Sequence, residues 1–263
     1  MSMSVPAADE QITIRTLDSA EDFERVEHLQ RLTWGAEFTE LVPAAILMIS
    51  QKVGGIVAGA EDATGTLVGF VFGLTGLRHG RLAHWSHMLA VDESLQGAGI
   101  GRRLKLYQRN RLLEMGVEHC YWTYDPLVAR NAHLNINRLG ALPTEYIPDM
   151  YGADTKSSLH SGIGTDRFIV EWELRSPRVL QAIHTAPHES TVERADPDAI
   201  HVGVPDDIQA VKEASPAEAR AWRERSRSAF LEHLKDGHRV TGFARDPSKG
   251  CAYYILTKPT STG

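Results

Sequence analysis

The sequence predicts a mixed α/β domain that carries a smaller α/β appendage, and three observations lead there. GGIVAGAED and TLVGFVFGL alternate like paired strands on either side of a short turn. Ile100, Leu104, Tyr107, Leu112 and Met115 recur at helical spacing. Leu174 to Pro177 then breaks the pattern before a second, shorter set of elements. A chain of 263 residues is long enough to bury a core as one large domain, alone or with an appendage.

Taken in order, residues 1–11 are small and polar and read as a loose tail. ITIRTL is the first strand. Ser19, with Asp22 three residues on, has the form of a helix N-terminal box before FERVEHLQRL. PAAILMISQ, starting at Pro43, gives a second helix, and the hairpin that follows turns at Ala63-Thr64-Gly65. LAHWSHMLAV is a further strand, and the helix over about 100–115 ends at Gly116. VEHCYWTYD is rich in β-branched and aromatic residues and reads as a strand, whereas ARNAHLNINRLG reads as a helix stopped by Gly140. PTEYIPDMY and DRFIVEWEL are two more strands.

Beyond them Pro177, Pro187 and Pro197 punctuate a stretch without sustained periodicity. ASPAEARAWRERSRSAFLEHLKDG is then a helix with Ser215 as N-cap and Gly237 as terminator, followed by the short strands HRVTGFA and CAYYILT. The chain therefore divides into a domain over 12–175 and an α/β appendage over 176–263. On the appendage helix Ala219, Trp222, Ser226 and Phe230 form a one-sided stripe, either a docking face toward the main domain or a homodimer contact.

Composition limits the partners. There are 28 basic and 34 acidic residues, a formal net charge of -6, so no overall basic field draws in nucleic acid. Only two cysteines, Cys120 and Cys251, stand far apart, which fits a reducing compartment and points to the cytoplasm. No basic region precedes an apolar run at the N-terminus, and no stretch approaches a membrane span, so neither export nor a membrane partner is expected. His79, His84 and His87 do not form a metal site, because strand alternation puts His84 and His87 on opposite faces. His184 and His188 have ligand-like spacing, but Pro187 breaks the helix that would align them. No metal is expected.

The informative stretch is QGAGIG, Gln96 to Gly101, between a strand and a helix. Glycines opening a helix make an anion site, since unpaired amides and the helix dipole both face the ligand. A dinucleotide fingerprint fails at its last glycine, where Arg102 stands, and a P-loop fails because Gly101 is followed by Arg102-Arg103. What remains is Gln-x-x-Gly-x-Gly with Gln96, Gly99 and Gly101 in register after LAVD.

In these residues, and in the later Asn131 to Leu139-Gly140 segment, the chain resembles the GNAT superfamily of acyl-CoA N-acyltransferases over about 12–175. The resemblance implies a mixed central sheet splayed between two strands, one ending at Val91 and one near Asp125, and flanked by helices. It implies that Gln96, Gly97, Ala98, Gly99, Ile100 and Gly101 hold the coenzyme A pyrophosphate. Backbone groups of Leu89, Ala90 and Val91 would hold the pantetheine arm like an added strand. Arg102, Arg103, Lys105, Arg109 and Arg111 put five cations and no acid into ten residues, which suits the coenzyme phosphates, chiefly at Arg102 and Arg103; a solvated helix face accounts for the others.

For chemistry, His84, Ser86 and His87 lie on the strand before the coenzyme segment. His87 is the candidate base, with a purely structural histidine as the other reading, and the backbone near Leu89 is the candidate oxyanion donor. Many GNAT enzymes place a tyrosine acid in the last helix, where this chain has Ile136. Tyr124 is a candidate replacement or a core aromatic. Asn131 matches the family's asparagine at a coenzyme contact, and Asn135, one turn on, is preferred over Asn137 as a substrate residue. Asp125 caps the turn into that helix, and Cys120 is a core residue.

TYDPLVARNAHLNINRLGA, SHMLAV and GTDRFIVEWEL look like one GNAT subfamily, some of whose members are thought to N-succinylate amino acids. That implies acetyl-CoA or succinyl-CoA as donor and a small-molecule amine, an amino acid among the candidates, as acceptor, with a carboxylate on the acceptor or the donor. Ser86, Arg130, Arg167 and the loop Gly162-Ile163-Gly164 are then candidate substrate contacts, with a structural ion pair as the alternative for Arg167. A non-catalytic module that binds acyl-CoA or a protein partner is the competing function.

Overall fold

The structure is a computed structural model that describes residues 12–36, 38–152, 162–185 and 199–259. The expected tail, and Pro187, His188 and Pro197, lie outside the described residues. The chain is mixed α/β and forms two compact units, Met1–Tyr121 and Trp122–Gly263. The division falls between Tyr121 and Trp122, inside a strand; the boundary expected near residue 176 lies within the second unit.

In the first unit, β1 (Thr13–Thr16), β2 (Ile56–Glu61), β3 (Leu67–Arg78) and β4 (Arg81–Val91) pair in succession, all antiparallel. β5 (His119–Tyr124) lies parallel to β4, which makes the sheet mixed. Helix α1 (Ala20–Trp34) starts where the sequence says, with Ser19 and Asp22 exchanging both bonds of a capping box. Asp22 also takes the guanidinium of Arg15, which holds its carboxyl well below the usual range. α1 and α2 (Ala44–Lys52) cover one face of the sheet, where Leu17, Phe23, Val26, Leu47, Phe70, Phe72, Met88 and Ala90 form a core. α3 (Ile100–Glu114) lies on the other face, its Leu104 beside Gly69 of β3.

One irregularity in β4 bears on function. Phe72 pairs with Met88 and Gly73 with Ser86, so His87 is an extra residue with no partner on β3. The bulge shifts the side-chain parity of the strand. Before it, His84 points to α3; after it, Leu89 and Val91 flank Gly101 of α3 while Met88 and Ala90 join the opposite core.

The second unit holds the end of β5, α4 (Ala129–Ala132), β6 (Leu142–Ile147), β7 (Arg167–Glu173), α5 (Pro177–His184), β8 (Ile200–Pro205), α6 (Ile208–Ala214), α7 (Pro216–Lys235), β9 (Arg239–Asp246) and β10 (Cys251–Thr257). β6 pairs antiparallel with β7, and β8-β10-β9 form a separate three-stranded sheet. Three elements, α5, β8 and α6, occupy the stretch that lacks periodicity: Pro177 opens α5 rather than breaking it, with Ser176 as N-cap. The expected helix over 129–140 is α-helical for one turn and then π-helical over His133–Arg138, where the Leu139 amide reaches back to Leu134. Gly140 closes it at φ 74, and a side chain there would come 3.0 Å from the Val179 backbone of α5. Helix α7 buries Ala219, Ser226 and Phe230 of the expected stripe, with Arg223 in place of the half-buried Trp222. Phe230 meets Phe168 of β7 at 4.8 Å and Tyr254 of β10 at 5.2 Å, which joins the appendage to the β6–β7 pair.

Candidate active site

The glycine stretch begins as β4 ends. The Asp92 carboxylate accepts the Ser94 amide at 2.9 Å and starts a tight turn, and the Gln96 side chain donates back to the Val91 carbonyl at 3.3 Å. Gly97 and Gly99 are left-handed at φ 90 and φ 79, and a side chain at either would meet nothing within 4 Å. Glycine is needed there for backbone conformation, not for space. Gly99 is the N-cap of α3 without a side-chain cap, and the first turn carries no acidic residue. The amides of that turn and the positive end of the helix dipole are thus left for an anion.

Beside this loop β4 offers a strand edge. Its parallel ladder with β5 consists of His84↔Cys120 and Trp85↔Tyr121, although β4 continues to Val91. The amides and carbonyls of the stretch past the ladder can pair with an extended ligand, and the bulge at His87 is what bends the strand at that point. Leu89 and Val91 are half-buried against Gly101, each 3.8 Å from where its side chain would begin, and Ser86 and Ala90 are buried.

His87 is exposed and sits edge-on to Phe72 with ring centroids 6.0 Å apart. Desolvation around it lowers its pKa, opposed by the charge of Glu40, so the imidazole is neutral and able to take a proton. His84 has a different task. Its Nδ1–H donates to Thr75 Oγ1 at 2.9 Å, because the Thr75 hydroxyl is itself given to the Gly54 carbonyl. Its Nε2 accepts from Gln108 at 3.1 Å, and Gln108 accepts from the Lys105 ammonium at 2.8 Å. Burial holds His84 neutral with a pKa of about 3 and lowers Lys105 to about 8. His84 therefore ties α3 to the sheet.

The basic run on α3 divides by environment. Lys105 is buried rather than solvated, Arg103 donates to the Ile12 carbonyl at 2.7 Å, and Arg111 pairs with Glu114. Arg103 thus ties α3 to the start of β1, while Arg102 lies half-buried in the first turn of α3. A cavity of about 270 Å³ in this unit lies near the other end of β4, against Leu77, Arg78, Trp85 and Tyr121, away from the glycines.

In the second unit several candidates are engaged internally. Asn135 is buried and accepts from the Trp122 indole at 3.2 Å, which braces the end of β5. Arg167 is buried, donates to the Asp166 carbonyl at 2.9 Å, lies 3.9 Å from Asp125 and stacks on Tyr151 at 5.3 Å, which is the structural alternative. Tyr124 is buried against Phe168, and desolvation raises its pKa further; it belongs to the aromatic core. Ile136 is buried, Asn131 is half-buried and Arg130 is exposed. Asp125 takes the Leu127 amide at 2.9 Å, as a turn cap does, and also the Arg223 guanidinium at 2.6 Å.

Sequence reasoning missed that last pair and the Glu40 neighbour of His87. Arg223 was accessible in principle, four residues from Ala219 and three from Ser226 on the buried stripe. Among the described residues, no three His, Cys, Asp or Glu side chains are placed to hold a metal, and no helix is long and apolar enough to cross a membrane.

No protein-family model and no curated protein matches the chain. Among solved structures it is similar to aminoglycoside 6'-acetyltransferase type Ii, with 21% identity, a TM-score of 0.49, and coverage of 62% of this chain and 98% of that one. It is similar also to an acetyltransferase of the GNAT family from Streptococcus pneumoniae, with 15% identity, a TM-score of 0.49, and coverage of 61% and 98%. For the ribosomal-protein-S18-alanine N-acetyltransferase from Escherichia coli the identity is 17%, the TM-score 0.48, and the coverage 62% and 94%.

Proposed function

We propose that the protein is an acyl-CoA-dependent N-acyltransferase, moving an acetyl or succinyl group from coenzyme A to the amine of a small molecule, an amino acid among the candidates, by direct attack. One observation carries the reading: a strand edge released from its neighbour at a bulge runs straight into left-handed glycines that open an uncapped helix. Those parts suit the two halves of coenzyme A. The edge takes the amide-bearing pantetheine arm, and the helix start takes the pyrophosphate.

The acceptor nitrogen, once neutral, attacks the thioester carbonyl. A β4 amide near Leu89 bonds the oxyanion, His87 takes the proton released from nitrogen, and the sulfur leaves as the coenzyme thiolate. A thiol of pKa about 8.5 leaves without a dedicated acid, so Ile136 in place of a tyrosine is no obstacle. Two unpaired cysteines, Cys120 and Cys251, support a reducing compartment, and we place the protein in the cytoplasm.

The test is thiol release from acetyl-CoA and from succinyl-CoA against a panel of L- and D-amino acids, with mass spectrometry of the products. Acceptor-dependent release is expected. Coenzyme binding without release for any amine would favour a binding module instead. His87→Ala is expected to lower kcat by about 10²-fold with coenzyme binding retained, and normal turnover would remove His87 from the mechanism.

A further inference from the structure

Arg223 lies on the inward face of α7 with 3% of its surface exposed. Its Nε donates to the Ile163 carbonyl at 2.9 Å and its Nη2 to Asp125 at 2.6 Å. Its Nη1 is buried and meets no acceptor among the described residues. A buried donor of this kind is rare in a folded protein, and a guanidinium cannot resolve it by giving up its proton.

The neighbouring acceptors are already used. Asp125 gives one oxygen to the Leu127 amide and the other to Arg223 Nη2, with Arg167 3.9 Å away. Asp166 takes Arg227, the Tyr146 hydroxyl and the Asp149 amide. The Ile163 carbonyl is fixed between Gly162 and Gly164, both left-handed, and faces Arg223 Nε. Two guanidiniums therefore share Asp125, and one of them keeps a pair of N–H groups for an acceptor from outside this set.

We propose that the second unit binds a small carboxylate at Arg223 Nη1, beside Asp125 and the Gly162–Gly164 turn. A carboxylate matches the guanidinium in charge and in planar donor geometry. The proposal rests on the acyltransferase reading only in making this the carboxylate of a substrate; the binding itself does not depend on it. Since Nη1 is closed to solvent, entry requires local opening, and association is expected to be slower than diffusion allows.

The test uses the full chain and titrates succinate, acetate and the uncharged control succinamide by calorimetry at constant ionic strength, with coenzyme A titrated in parallel. Wild type is expected to bind succinate at least tenfold more tightly than succinamide. Arg223→Lys, which keeps a cation toward Asp125, is expected to lose at least tenfold in succinate affinity, and Arg220→Lys on the exposed face of the same helix is expected to lose none. Side-chain ¹⁵N–¹H spectra of wild type give the same answer without substitution, through a shift of the Arg223 resonance on adding succinate. Equal binding of succinate and succinamide, an unchanged affinity in Arg223→Lys, or an unmoved Arg223 resonance overturns the proposal. Succinate binding at Arg223 without any coenzyme binding would keep it and remove the acyltransferase reading.

Discussion

His87 combines exposure with a lowered pKa, and this sets how its activity depends on pH. A base works in its neutral form, so the rate rises as pH passes the pKa of the imidazole. Desolvation places that pKa under the ordinary 6.5, and the acid limb of kcat/KM is expected to inflect below 6.5. An inflection above it would assign the base elsewhere. Gly99 makes a second prediction. A left-handed alanine costs about 1–2 kcal/mol, so Gly99→Ala is expected to lower folding stability by about that much in urea denaturation. The glycine loop was legible because its residues are contiguous and their backbone demands are local. The engagement of Arg103 and Asn135 was not, since their partners Ile12 and Trp122 are brought to them only by folding; for Arg167 an ion pair was foreseen, but not its partner Asp125.

Helix starts were the best-read elements, because the cap and its target lie within four residues. Ser19 and Ser215 both cap as the sequence indicates. Ser215→Ala is expected to cost about 1 kcal/mol in urea denaturation, from the Glu218 amide it leaves without its cap. The short elements α5, β8 and α6 escaped notice because a run of six to eight residues shows too few turns for a period to emerge. The π-helical turn at His133–Arg138 was equally hidden, since its fit depends on tertiary ties such as Asn137 to the Phe243 carbonyl at 2.9 Å.

Across the whole molecule, the aromatic core around Phe168 draws on residues from both sides of position 176. Phe168 lies 4.8 Å from Phe230 and 5.4 Å from Tyr254, ring to ring, and both partners follow residue 176. A fragment ending at residue 175 is expected to aggregate, and Phe230→Ala in the full chain to cost about 3–5 kcal/mol in thermal or urea unfolding. The buried chain through His84 and Lys105 governs stability against pH. Lys105 falls from 10.5 to about 8 on folding, so the unfolded chain holds more protons between those values, and stability is expected to rise with pH across that window. His84 falls from 6.5 to about 3, so stability is expected to drop as pH descends through that range. Urea unfolding along a pH series checks both, and Lys105→Met should abolish the alkaline gain. The bulge at His87 has a consequence for the gene. Without that residue, Ser86 would be followed by Met88 in unbroken alternation, with Leu89, Val91, Met88 and Ala90 all keeping their present sides and partners. Loss of a single codon is therefore expected to leave a regularly paired strand without the bend beside the glycine loop.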